Sequence, residues 1–260
     1  MQYLLYLFTL ICYPVFAQQQ VKTTFITSIA LKADIVSDID TFGAIYYTTE
    51  DNTFHKKTND TTITYTNVQL SKITSANGFN PLKLNVFYKD FNSVVILDNR
   101  LAEIYKIDFN ANKLYKNVSH ISTGYDNTIW VFNQDTQQLE LFDYKSNKTK
   151  AQTLPAESQV LDLKSNYNYC WLLTKDHLYT YNYFGINILK LKNEGFTRLY
   201  NMSENLVLQK DNKLFFLKNN ASSPVEIQLP KLLINAFFVK DETLYIYDNE
   251  YLYKYQLKIN

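Results

Sequence analysis

The chain has 260 residues, of which 46% are apolar and 16% aromatic, with only five Gly and five Pro. That composition excludes a disordered, collagen-like or elastic-linker protein. Lys and Arg total 26 against 25 Asp and Glu, a formal charge of +1, which leaves no broad field to hold the chain on nucleic acid or an anionic membrane.

Residues 3–16 form an apolar run of 14 residues, shorter than the roughly 20 a spanning helix needs, followed by Ala17 and Gln18-Gln19-Gln20. Val15 and Ala17 occupy the small-residue positions of a signal peptidase site, so the run predicts a secretory leader over 1–17 and a single mature domain over 18–260. The leader lacks the usual basic start, since no Lys or Arg precedes Lys22. The remainder has no apolar stretch long enough to span a membrane. Cys12 leaves with the leader, so the mature chain has no second thiol for Cys170, which is expected to be a small core residue.

Beyond the leader, short alternating segments rich in Tyr, Phe, Ile, Val and Leu replace any sustained helical period, and the chain is all-β. A unit of apolar strand, Asp-bearing turn and second strand recurs six times, beginning at Ala44, Ser93, Thr128, Cys170, Asn205 and Thr243. The turn aspartates are Asp51, Asp98, Asp135, Asp176, Asp211 and Asp248, spaced 47, 37, 41, 35 and 37 residues apart. This spacing matches the roughly 40–45 residues of a four-stranded propeller blade. Each unit supplies the middle strands B and C of a blade. Inner strands A are expected at 83–89, 120–125, 160–164, 197–201 and 233–239, and polar outer strands D at 61–69, 148–154 and 224–229.

The sixth unit ends with the chain and lacks an outer strand, whereas 23–31 is an isolated β-prone segment ahead of the first. The expectation is therefore a six-bladed β-propeller closed by an N-terminal strand pairing beside 251–258, with no exposed seam between head and tail. Strand alternation places the D–A connections and the B–C turns on one face, and with them all six turn aspartates.

These six units, without the Gly-His and Trp-Asp marks of the WD40 class, resemble six-bladed propellers of the bacterial cell envelope. The segment from Asn80 to Ile104, NPLKLNVFYKDFNSVVILDNRLAEI, is similar to uncharacterised exported proteins of Bacteroidota. The resemblance implies a periplasmic or envelope location and transfers no activity.

The chain carries no HExxH, CxxC, GxSxG, Walker or GxGxxG motif, and His55, His120 and His177 belong to different blades, so neither metal nor cofactor is expected. Asp38-Ile39-Asp40 lacks the Gly and Glu of a calcium loop and reads as a polar strand edge. The turn aspartates read as local N–H caps. Trp130 and Trp171, near the starts of B strands, are expected in the packing between blades. With 22 Tyr in the chain some must face solvent, and Tyr125, Tyr167 and Tyr200, at the ends of inner strands, are candidates for binding a protein or glycan. The function expected is an exported, non-catalytic and monomeric binding or scaffold module whose partner is an envelope protein or glycan, with no nucleic acid. The alternative is a hydrolase or lyase at the mouth of the central channel, for which His120, Asp126 and Asp162 are the candidate groups.

Overall fold

The structure is a computed structural model describing residues 20–111 and 115–259. The expected leader over 1–17 and Cys12 lie outside the described residues. Strand β1 (Lys22–Ala30) comes first. It is followed by β2–β5 (Ile35–Ile39, Ile45–Thr48, Phe54–Lys57, Thr62–Tyr65) and β6–β9 (Ser75–Asn77, Leu84–Tyr88, Ser93–Leu97, Glu103–Asp108). Then come β10–β13 (Val118–Thr123, Thr128–Asn133, Gln138–Asp143, Lys148–Gln152) and β14–β17 (Val160–Ser165, Tyr169–Thr174, His177–Asn182, Asn187–Lys192). The chain finishes with β18–β21 (Arg198–Met202, Asn205–Lys210, Lys213–Leu217, Val225–Glu226) and β22–β24 (Ala236–Lys240, Thr243–Tyr247, Tyr251–Lys258).

The strands pair as six antiparallel four-stranded sheets, and the sixth has the order β1-β24-β23-β22. The chain is a six-bladed β-propeller. Its closure is as expected: β1 runs antiparallel to β24 from Lys22 opposite Lys258 to Ala30 opposite Tyr251. No helix among the described residues is long and apolar enough to cross a membrane.

Packing follows from strand position. Middle strands are covered by a neighbouring blade on each face, so β7, β8 and β11 are buried along their whole length. Their alternate residues serve different neighbours. Val86, Tyr88, Val95 and Leu97 pack toward the first blade, with Tyr46 and Phe54. Phe87, Val94 and Ile96 pack toward the third, with Ile129, Val131 and Phe142. Trp130 and Trp171 occupy the next two interblade layers and are about 1–2% exposed, the packing role expected of them. Cys170 is fully buried, and burial pushes its thiol well above the ordinary value, as befits a core residue.

The second blade departs from the expected assignment. Its inner strand is the short β6, Ser75-Ala76-Asn77, and the expected inner segment 83–89 forms β7, one place further out. The repeat unit at Ser93 therefore supplies the third and fourth strands, and its Asp98 turn lies on the opposite face from the other five. A one-turn 3-10 helix at Lys89–Phe91 makes the B–C connection there. The physical reason is that β6 is made by pairing with β7 rather than by apolar alternation, so only its partner reveals it. Turn capping by aspartate holds where the carboxylate meets its own loop: Asp98 accepts from the Arg100 and Ala102 N–H groups, both at 2.8 Å, and Asp248 from Glu250 and Tyr251 at 2.9 and 2.7 Å.

Candidate functional site

The six inner strands surround a central channel. Three of them carry a bulge at matching places: β2 between Val36 and Asp38, β10 between Val118 and His120, and β14 between Val160 and Asp162. A bulge inserts one residue and changes the phase of the side chains that follow it. Asp38, His120 and Asp162 are the residues so placed.

The two aspartates behave alike. Asp38 Oδ1 accepts from the Ile39 N–H at 2.8 Å, and Oδ2 from the Gly78 N–H of the second blade at 2.6 Å. Asp162 Oδ1 accepts from the Leu163 N–H at 2.8 Å, and Oδ2 from the Leu199 N–H of the fifth blade at 2.9 Å. Each carboxylate thus ties its inner strand to the next one, and inner-edge N–H groups that would lack a ladder partner are satisfied. Gly78 is required by this approach, because a Cβ there would lie 3.0 Å from the Tyr46 ring and 3.4 Å from Asp38 Cβ.

Asp38 and Asp40 stand on the inner sheet edge, yet both are about 2% exposed, where the sequence pattern indicated a polar strand edge. Asp40 accepts from the N–H groups of Phe42 and Ala44, both at 2.9 Å, and from the Tyr46 hydroxyl at 2.8 Å. The Tyr200 hydroxyl donates to Asp38 Oδ1. Lys240 Nζ lies 3.9 Å from the same oxygen and 5.3 Å from the Tyr200 ring centre. Burial, with the neighbouring carboxylates, raises the Tyr200 and Tyr46 hydroxyls above their ordinary value, so both remain donors at neutral pH.

At the A–B-loop end the channel opens into a basin of about 370 Å³ whose lining includes Thr41, Phe79, Asn166, Tyr167, Ser203 and Lys240. Phe79 and Tyr167 meet edge to face with centroids 5.1 Å apart. Nearby on this face, Tyr125 packs against Tyr183 at 6.0 Å, and Tyr183 against Phe184 at 4.1 Å. Tyr167 is 45% exposed, Phe184 62%, and Phe42 in the adjoining loop 86%.

The three sequence candidates separate. Tyr167 lines the basin and Tyr125 is half-buried in the loop after β10. Tyr200, expected at a strand end, sits mid-strand in β18 and is only 4% exposed, because its ring fills the channel wall below the basin. Of the groups considered for catalysis, His120 and Asp162 line one hollow toward the other end of the channel. Asp126 is exposed in the loop after β10, on the basin side, where its carbonyl accepts from Lys83 Nζ at 2.7 Å. Among the described residues no three His, Cys, Asp or Glu side chains converge as metal ligands. Phe79 and Lys240 escaped sequence reasoning. The only local sign of Phe79 was its place in the Asn77-Gly78-Phe79-Asn80-Pro81 loop.

No protein-family profile matches the chain, and no curated protein matches it significantly. Among solved structures it is similar to a catalytically inactive virginiamycin B lyase from Staphylococcus aureus with quinupristin. That match has a TM-score of 0.60, 16% identity and coverage of 88% of this chain and 80% of the lyase. A chain of the mitotic checkpoint complex aligns with a TM-score of 0.61 at 11% identity, over 92% of this chain and 94% of that one. BamB from Moraxella catarrhalis aligns with a TM-score of 0.50 at 16% identity, over 89% and 70%. At these identities the likeness establishes the propeller fold, which hosts both enzymes and components of assemblies.

Proposed function

We propose that the protein is an exported, non-catalytic docking module of the cell envelope that holds a partner protein at the basin on its A–B-loop face. The observation that carries this reading is the basin itself, an open concavity in which the exposed Tyr167 ring and the half-buried Phe79 ring adjoin amide and hydroxyl groups. Rigid aromatics provide contact area at low entropic cost, and neighbouring Asn and Ser side chains accept varied hydrogen-bonding partners. Export rests on the leader-like segment over 1–17 and on the likeness of Asn80–Ile104 to exported proteins of Bacteroidota.

A hydrolase or lyase is the second reading, favoured by the shared hollow of His120 and Asp162. It requires a carboxylate free to act as acid, base or nucleophile, whereas both oxygens of Asp162 are held by backbone N–H groups. Affinity capture of the tagged protein from its own envelope fraction, with Tyr167→Ala in parallel, tests the docking reading. A protein recovered by the parent and lost from the variant supports it. A sugar polymer recovered instead assigns the basin to glycan, and recovery of nothing together with turnover of a sugar or lactone substrate overturns it.

A further inference from the structure

The end of the channel away from the basin has a different chemistry. A hollow of about 270 Å³ is lined by Lys89, Ser119, His120, Asp162 and Lys164, among others. A second hollow of about 210 Å³ shares Asp162 and Lys164 with it and adds Arg198. We propose that this end of the channel is an oxyanion site that takes a carboxylate, sulfate or phosphate group between Lys89, Lys164 and His120.

The charge balance is local. The whole chain carries a formal charge of only +1, yet three fixed cations face one carboxylate here. Among the described residues none of Lys89, Lys164 or Arg198 has a carboxylate oxygen within 4.0 Å. Asp162 does not neutralise them by contact, because both its oxygens are taken by N–H groups of Leu163 and Leu199. Arg198 donates to the Asn235 carbonyl, which accepts a hydrogen bond without cancelling charge. Lys164 is also positioned in advance: its Nζ lies 5.4 Å from the centre of the Tyr200 ring, and that ring is fixed by Asp38. Lys89 arrives from the B–C turn of the second blade, so elements of three blades meet at the site.

His120 completes the set. Its Nδ1 is engaged by Ser119 Oγ at 2.9 Å, which leaves Nε2 as the ring nitrogen for a ligand. Burial lowers its pKa, Asp162 opposes the shift, and Lys89 and Lys164 add to it. Those three groups are the charges that act on the imidazole from the neighbouring elements. An anion seated among them favours imidazolium, so binding takes up a proton and tightens as pH falls.

Sulfate is the appropriate probe, because it remains a dianion from pH 5.5 to 8. Its binding to the full chain is measured by calorimetry and by amide NMR shifts at constant ionic strength. The expected result is a single saturable site, with shifts clustered at residues 119–121 and 162–164. Lys164→Gln is expected to weaken it about tenfold and Lys89→Gln several-fold, on the scale of one charge-assisted hydrogen bond. Lys213→Gln, a rim residue paired with Glu226, leaves it unchanged, and His120→Gln binds with a flattened pH profile. Thermal unfolding checks each variant, and the exposed Lys89 decides the matter if Lys164→Gln is not folded. Absence of saturation, or equal weakening by Lys213→Gln, overturns the proposal.

Discussion

The Tyr200 hydroxyl, on the inner strand of the fifth blade, donates to the carboxylate of Asp38 on the first, 162 residues away in sequence. The bond spans the sixth blade, the one sheet built from both ends of the chain. Tyr200→Phe keeps the ring and removes the donor, leaving a buried carboxylate short of one partner. Urea denaturation should show a loss of about 1–3 kcal/mol. A variant as stable as the parent would mean that Lys240 and the two N–H groups already satisfy Asp38.

Closure of the ring by β1 makes the leading segment indispensable. Removing residues 20–31 deletes the outer strand of the sixth blade, including the Phe25–Tyr255 ring contact at 5.6 Å, and bares the edge of β24. The truncated chain should melt about 10 °C or more lower and self-associate through the bared strand. Calorimetry and light scattering read the two effects. That β1 would close the ring was legible in the sequence, since a last unit with no fourth strand and an unpaired β-prone segment at the head leave one economical pairing. The inner strand of the second blade was not legible, because Ser75-Ala76-Asn77 has no apolar alternation and exists through its ladder to β7.

Gly124, which opens the loop carrying Tyr125, has no room for a side chain. A Cβ there would lie 2.3 Å from Thr128 Oγ1 and 2.6 Å from the Thr128 carbonyl oxygen. Gly124→Ala should therefore cost about 1–3 kcal/mol by displacing the loop. Gly43 gives the contrast: nothing lies within 4 Å of a Cβ there, and its φ of +81° is the sole source of strain for Gly43→Ala. The pair separates steric from torsional cost in chemical denaturation.

Glu140 predicts acid sensitivity. Burial pushes its carboxyl up, but Lys116, Asn133 and Thr149 together hold it below the ordinary 4.5. A carboxyl depressed in the folded state contributes stability above its unfolded pKa and loses it as pH falls through the folded one. The parent should thus lose stability progressively below about pH 4.5, and Glu140→Gln should show a shallower fall. Lys116→Met at pH 7 leaves the buried carboxylate without its cation and should cost about 3–5 kcal/mol. Denaturation curves at pH 3.5, 5 and 7 check both.

Tyr167 tests the proposed docking face. With 45% of its surface exposed, Tyr167→Ala should change the unfolding free energy by less than about 1 kcal/mol while reducing partner capture at least tenfold, the effect of losing an aromatic anchor. Equal losses of stability and capture would place Tyr167 in the packing instead.

The amino-acid sequence by itself determined the number of blades, the closing strand and the middle strands of every blade but the second, because alternation and turn chemistry are local and recur at blade spacing. The tertiary structure alone decided which ionisable groups meet in the channel. Bulges in β2, β10 and β14 change side-chain phase without leaving a compositional mark. Asp38 and Tyr200 come together only once the ring has closed, and His120 and Lys164 only once the third and fourth blades pack, since separate inner strands carry each partner.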